Sequence, residues 1–131
     1  MFGPPGFAFV YFTYGMHWMF NAVAGPEGTP HAVLIRSIEP VTGLDLMAAH
    51  RGGALPLAEG PGRLTQALTI TGPDNGKDLS SSNLYIAFPP QGMESPADYL
   101  ITKRIGVENS GEARDYLWRF VGDRKRRKGP E

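Results

Sequence analysis

The chain has 131 residues, 41% of them hydrophobic and 20% charged, with 13 Lys and Arg balancing 13 Asp and Glu, a composition and length that fit one globular domain with a single core. Zero cysteines exclude disulfides, thiolate metal sites and a cysteine nucleophile, and 17 Gly with 12 Pro forecast many turns and irregular connections. No apolar run reaches membrane-spanning length and the start lacks a basic, then apolar, secretory pattern, so a soluble intracellular α+β protein is expected. The neutral balance hides an asymmetry: residues 119–131 hold six Lys or Arg against two acids, leaving a mildly acidic body and a basic end. A cluster such as Arg124–Lys128 is either a solvated end or a stretch that tracks phosphate, whereas an acidic body counts against purely electrostatic nucleic-acid binding.

Met1-Phe-Gly-Pro-Pro-Gly6 is a rigid turn that leads directly into Phe9–Asn21, the densest aromatic run in the chain. Two apolar and aromatic runs flank Gly15-Met16, which predicts a β-hairpin with a type II′ turn, glycine supplying the positive φ of the first loop position. In that register Tyr14 faces His17, Thr13 faces Trp18, Phe12 faces Met19 and Tyr11 faces Phe20. The aromatics are then either a buried central hairpin or, at the tip, a wedge of the sort that separates stacked bases in a minor groove.

His31–Ile38 follows as a third strand with one charge, Arg36, which either pairs structurally with Glu39 or faces a ligand. Pro40 and Gly43 end it, and Leu44–His50 reads as a short packing helix with Leu44, Met47 and Ala48 on one side. Gly60-Pro-Gly opens a second helix with Leu64, Ala67 and Leu68 as its buried stripe. Its first turn, beside Arg63, is either an ordinary helix start or an anion site for one phosphate; it lacks the P-loop pattern. Thr71–Lys77 is a turn, Leu84–Phe88 a fourth strand closed by Pro89-Pro90, residues 98–105 a strand or a helix, and Glu112–Phe120 a last edge strand. His17, His31 and His50 have no spacing that suggests a shared metal, and no nucleophile-elbow motif occurs.

An ordered series of segments then resembles one family. It comprises Met1–Gly6, Tyr11-Phe-Thr-Tyr-Gly-Met16, Asn21, Val33-Leu-Ile-Arg-Ser-Ile-Glu-Pro40, Gly43-Leu44, Gly60–Leu68, Asn75-Gly76, Asp78-Leu79, Arg104-Ile-Gly-Val107 and Trp118-Arg-Phe120. Together these are similar to the alkyladenine, or 3-methyladenine, DNA glycosylases that have their own fold. The resemblance spans residues 1–120 and implies one α+β domain around a curved antiparallel sheet with a protruding hairpin; from Val121 the chain departs from the family's ending, and residues 121–131 are expected to be a disordered basic tail. By the same resemblance Tyr14 is the side chain that fills the space of a flipped nucleotide, with Met16 and His17 flanking it. Tyr11 stacks on the flipped base, Asn21 lies at the pocket floor and discriminates against the guanine amino group, Arg36 lies near the extruded nucleotide, and Arg63 near the DNA backbone.

The resemblance implies base-excision repair of alkylated or deaminated purines by water attack on the N-glycosidic bond, with double-stranded DNA as partner, no metal or cofactor, no membrane and a monomeric state. The setting it implies is the bacterial cytoplasm, or the nucleus in a eukaryote. The family's catalytic glutamate sits in a Glu-Ala-Tyr segment that precedes the Met-Phe-Gly-Pro-Pro-Gly turn, so the expected chain is an N-terminally truncated one without a catalytic residue; Glu27, Glu39 and Glu59 match that motif nowhere. Alternatives are a non-catalytic module that binds lesions with the same residues, and an inactive fragment whose truncated sheet does not fold stably.

Overall fold

The computed structural model describes residues 2–91, 99–106 and 111–122. The chain separates into two compact units, residues 1–87 and residues 88–131. Both are built on antiparallel pairing, and with two helices they make an α+β fold.

In the first unit β1 (Ala8–Thr13), β2 (His17–Ala24) and β3 (His31–Leu34) form an antiparallel sheet in that spatial order. Strand alternation sorts their side chains. Ala8 and Val10 of β1, opposite Ala22 and Phe20 of β2, point to the side covered by α2 (Pro61–Leu68), where they join Leu64, Ile70 and Leu79 in the core. Leu64 is wholly buried, and Trp18, Ile35, Ile38, Leu68 and Leu84 pack around the cluster. Pro61 at the first helical position needs no hydrogen-bond partner for its nitrogen, and Gly60 before it adopts φ 103°, so the Gly-Pro-Gly sequence starts α2 abruptly beside the sheet. Leu64 and Ala67 are buried as expected; Leu68 is half-buried, and Thr65 joins the buried face. Helix α1 spans the expected Leu44–His50, but Leu44 itself is exposed and only Met47 and Ala48 are partly covered. The His50 ring nitrogen Nδ1 lies 2.8 Å from the Ala67 carbonyl oxygen, tying α1 to the end of α2.

Both edges of the β1–β2 ribbon are finished by groups from outside the sheet. Along β1, Leu79 N–H donates to Gly6 O, Ala8 N–H to Lys77 O and Gly76 N–H to Ala8 O, at 2.8–2.9 Å, and Val10 N–H continues the row by donating to the Asn75 side-chain oxygen at 2.9 Å. Along β2, Ile35 N–H donates to Phe20 O at 3.0 Å just past the last β2–β3 pair, Asn21–Leu34. One step further the Thr65 hydroxyl donates to Trp18 O at 2.9 Å. A strand edge that would otherwise stand open is covered in both cases.

Three expected elements differ. The third strand ends at Leu34 and not Ile38, with Ser37 making only an isolated bridge to Glu59. Leu84–Phe88 is not a strand: Ile86 N–H returns to Leu79 O, and Phe88 is almost fully exposed, because this apolar stretch lies in a loop without a partner strand among the described residues. Glu112–Phe120 divides into a 3₁₀ turn, Gly111–Asp115, and β5 (Arg119–Gly122); its first half folds locally, with Tyr116 N–H bonded to Ala113 O. In the second unit β5 pairs antiparallel with β4 (Tyr99–Thr102), resolving the ambiguity of residues 98–105 in favour of a strand. Tyr99 and Phe120 meet edge-on at 5.8 Å, and the Arg104 guanidinium lies 5.1 Å from the Trp118 ring centre. Val121 and Gly122, the first two residues of the expected tail, belong to β5; from 123 onward the tail lies outside the described residues, as does Asp98.

A short 3₁₀ turn, Gly72–Asp74, leads to the segment that edges β1. Thr71 N–H donates to Asp74 Oδ2 at 2.9 Å, and Lys77 Nζ donates to Asp74 Oδ1. Partial burial raises the Asp74 pKa, but the hydrogen bond from Lys77, the bond from Thr71 and the Lys77 charge outweigh it and hold the carboxyl below its usual 3.8. A folded-state pKa that is depressed gives stability that is present above the unfolded value and lost as pH falls through the folded one. Asp74→Asn is therefore expected to cost about 1 kcal/mol at pH 7 and to reduce the loss of stability below pH 3.8, both measured by urea unfolding across pH 2–7.

Candidate nucleic-acid interface

The tip of the β1–β2 ribbon departs from the expected geometry by one residue. Thr13 pairs with His17, Phe12 with Trp18, Tyr11 with Met19 and Val10 with Phe20, which leaves a three-residue connection of Tyr14, Gly15 and Met16. Tyr14 and Gly15 have φ of 53° and 64°, and Met16 N–H donates to Thr13 O at 3.1 Å. Two successive positive φ values identify a type I′ turn over Thr13–Met16, where type II′ over Tyr14–His17 was expected. Glycine occupies the second central position, and the first is taken by a tyrosine, a bulky residue that rarely tolerates positive φ. Such a conformation typically costs about 1–3 kcal/mol and persists where the surroundings hold it.

The corrected register gives the ribbon two distinct faces. Phe12 and Trp18 stand directly opposite each other on the core side, ring centres 4.9 Å apart, with Phe12 half exposed beyond the end of the core. Neither was picked out as a pair by the sequence, because the predicted register set Phe12 against Met19; the alternation Ala8, Val10, Phe12 was the signal for it. On the outer side Phe9, Tyr11, Met19 and Asn21 share one surface, since Phe9 opposes Asn21 and Tyr11 opposes Met19. Tyr11 leans on Phe9 at 5.2 Å and keeps 40% of its surface exposed. Asn21, only 7% exposed, donates from Nδ2 to Phe9 O at 3.3 Å and so is anchored at the floor of this face, with Leu34 of β3 opposite it.

Tyr14 and Met16 project from the tip, 88% and 70% exposed. His17, at the base of the turn, lies against the first turn of α2: a methyl group built on Gly62 would come within 2.7 Å of His17 Nδ1. Arg63 is the next residue, exposed, with Nη1 donating to Glu59 O at 3.3 Å. Tyr14, Met16, His17 and Arg63 are thereby gathered around one end of the ribbon, while Tyr11 and Asn21 share its outer face. Arg36 lies two residues past β3 and is half-buried. Of the carboxylates weighed from sequence, Glu27 sits in the exposed loop between β2 and β3, Glu39 is exposed, and Glu59 forms the bridge to Ser37. Among the described residues no group of His, Asp or Glu is arranged to hold a metal ion, and no helix is long and apolar enough to cross a membrane.

The ribbon thus carries an exposed aromatic tip at positive φ, with Arg63 in the first turn of α2 near its base and Asn21 at the floor of one face. The family model described as methylpurine-DNA glycosylase (MPG) matches residues 1–126, and the chain belongs to that family. Similar proteins include ones from Desulfitobacterium hafniense, 42% identical over 130 residues, Burkholderia cenocepacia, 45% over 127, and Carboxydothermus hydrogenoformans, 48% over 123, each named "Putative 3-methyladenine DNA glycosylase". The matches take in 92–95% of this chain but 61–63% of those relatives, so the chain spans less than two thirds of their length.

Because the strain at Tyr14 is local to a solvent-exposed turn, Tyr14→Asn is expected to stabilise the fold by about 0.5–1 kcal/mol, asparagine being the residue other than glycine best suited to positive φ. Thermal denaturation followed through Trp18 and Trp118 measures this; a lowered midpoint would show that the tyrosine side chain supports the fold.

Proposed function

We propose that residues 1–131 provide the lesion-recognition surface of a monofunctional DNA glycosylase that removes alkylated or deaminated purines from duplex DNA in base-excision repair. The observation that carries this reading is Tyr14, held exposed at positive φ on the tip of a ribbon whose outer face bears Tyr11 above the anchored Asn21.

Chemistry on a base inside a duplex requires its extrusion, and the vacated space must be filled. In this reading Tyr14 enters the minor groove and fills it, Met16 and His17 press on the flanking base pairs, and Arg63 contacts a backbone phosphate. The extruded purine stacks on Tyr11, which tolerates varied bases because every base has a π-face, each stack being worth about 1–3 kcal/mol. Asn21 presents an amide to the base edge and Arg36 lies toward the extruded nucleotide; base-edge contacts set which lesion is kept while phosphate contacts set the register. In the reaction water adds to the anomeric carbon as the N-glycosidic bond breaks, the bonding electron pair departs with the purine, and the water's proton passes to a general base, leaving an abasic site. Water activation is assigned to none of Glu27, Glu39 and Glu59, because none lies in a Glu-Ala-Tyr sequence. A cationic alkylated purine leaves as a neutral base and needs that general base least.

Two experiments test this. Tyr14→Asn is expected to weaken binding to a duplex with an abasic-site analogue by about 1–3 kcal/mol in spite of its gain in stability, whereas Asn21→Ser is expected to relax discrimination against guanine with little change in overall affinity. Equal effects of Asn21→Ser on every base would remove it from the pocket. In single-turnover release of 1,N6-ethenoadenine, residues 1–131 are expected to be about 10²–10⁴-fold slower than a polypeptide that also carries the Glu-Ala-Tyr segment, the usual contribution of a positioned general base. Equal rates would assign water activation to a carboxylate within these residues, Glu39 first.

A further inference from the structure

The hairpin tip is held by contacts that the recognition chemistry itself does not require. His17 closes the turn by pairing with Thr13, and its ring and Cβ lie over the backbone of Gly62 in the first turn of α2. A methyl at Gly62 would stand 2.7 Å from His17 Nδ1, 2.8 Å from Cγ and 3.2 Å from Cβ. Rotating the ring about χ1 moves Nδ1 and Cγ, but Cβ is fixed to the His17 backbone and stays in a tight contact that the strand must yield by a few tenths of an ångström to relieve. Nor can the helix retreat, because Leu64 is wholly buried and Thr65, 3% exposed, hydrogen-bonds to Trp18 O at 2.9 Å, with Gly62 O at 3.0 Å from the same hydroxyl. On the next residue of the ribbon the Trp18 ring lies over Gly72, where an added methyl would come within 3.0 Å of its far edge. His17 and Trp18 therefore each rest on a glycine, with the Thr65 bond between them.

We propose that Gly62 and Thr65 are positioning residues for the tip: they fix the direction in which Tyr14 projects, and lesion engagement depends on them although neither is placed on DNA. The inference rests on the reading of Tyr14 as the DNA wedge. A displaced His17 passes its shift straight to the turn, since Thr13–His17 is the last pair before Tyr14. Tasks that depend on alignment are steep in such shifts, with misplacement by about 1 Å able to cost about 100-fold.

The test is the ratio of affinities of the full polypeptide for a duplex with an abasic-site analogue and for the same duplex undamaged, together with fluorescence of 2-aminopurine beside the analogue as a report of unstacking. Gly62→Ala is expected to lower the ratio about tenfold or more and to diminish the fluorescence change, with undamaged binding kept. In a His17→Ala background, where the ring it meets is gone, Gly62→Ala is expected to add much less. Thr65→Val is expected to act like Gly62→Ala and Thr65→Ser to restore the wild-type ratio, which keeps the test decisive if Gly62→Ala does not fold. A ratio unchanged in Gly62→Ala and Thr65→Val, or both affinities falling together with the folded fraction, overturns the positioning role. A wild-type protein without lesion preference overturns the wedge reading and this inference with it.

Discussion

The hydrogen bond from the Thr65 hydroxyl to the Trp18 carbonyl ties α2 to the tip-proximal half of β2, beyond the core packing that the two already share. β3 is short and its last partner on β2 is Asn21, so among the described residues no strand covers the outer edge of the tip-proximal half of β2. A two-stranded ribbon alone is marginal in water. Here α2 supplies both requirements at once, placing Leu64 under Val10 and Phe20 and turning a hydroxyl toward the open edge. On the other edge Asn75 does the same with its side-chain carbonyl for Val10 N–H. The ribbon is thus extended beyond its sheet by side chains that imitate strand backbone, and Tyr14 and Met16 at its tip stay exposed, outside the packed core.

That division explains where stability is conceded. Core positions follow ordinary preference, with alternating Ala8, Val10, Phe20 and Ala22 facing a helix that starts at Gly60-Pro61, although Thr69 at its end, a β-branched residue, also takes a positive φ of 53°. At the turn, preference is set aside: asparagine or glycine would suit the first central position, and tyrosine occupies it. Local conflicts of this kind concentrate at functional sites.

The same conflict limited what could be foreseen. Both helices were legible because Gly43 and Gly60-Pro-Gly punctuate them, and the hairpin was legible from its two apolar runs. The register was not: the rule that assigns glycine to the first loop position put the turn at Gly15-Met16, and only a tyrosine accepting positive φ moves it back by one residue. The face shared by Tyr11 and Asn21 and the pairing of Phe12 with Trp18 follow from that shift. The gathering of Tyr14, His17 and Arg63 at one end of the ribbon also lay beyond the sequence, because it depends on a close approach of His17 to Gly62 from 45 residues away in the chain. Leu84–Phe88 failed for the opposite reason, having the composition of a strand but no neighbouring edge to pair with among the described residues.

A connection of three residues between Thr13 and His17 separates reach from phase. Lengthening the chain among Tyr14, Gly15 and Met16 would carry the tip farther out and leave every pairing from Ala8–Ala22 to Thr13–His17 as it stands. The same single residue inserted between Tyr11 and Thr13 would slip the ladder on one side of it and turn the faces over. How far this ribbon projects is therefore open to variation by small changes in its loop, while the surface beneath the tip stays in place.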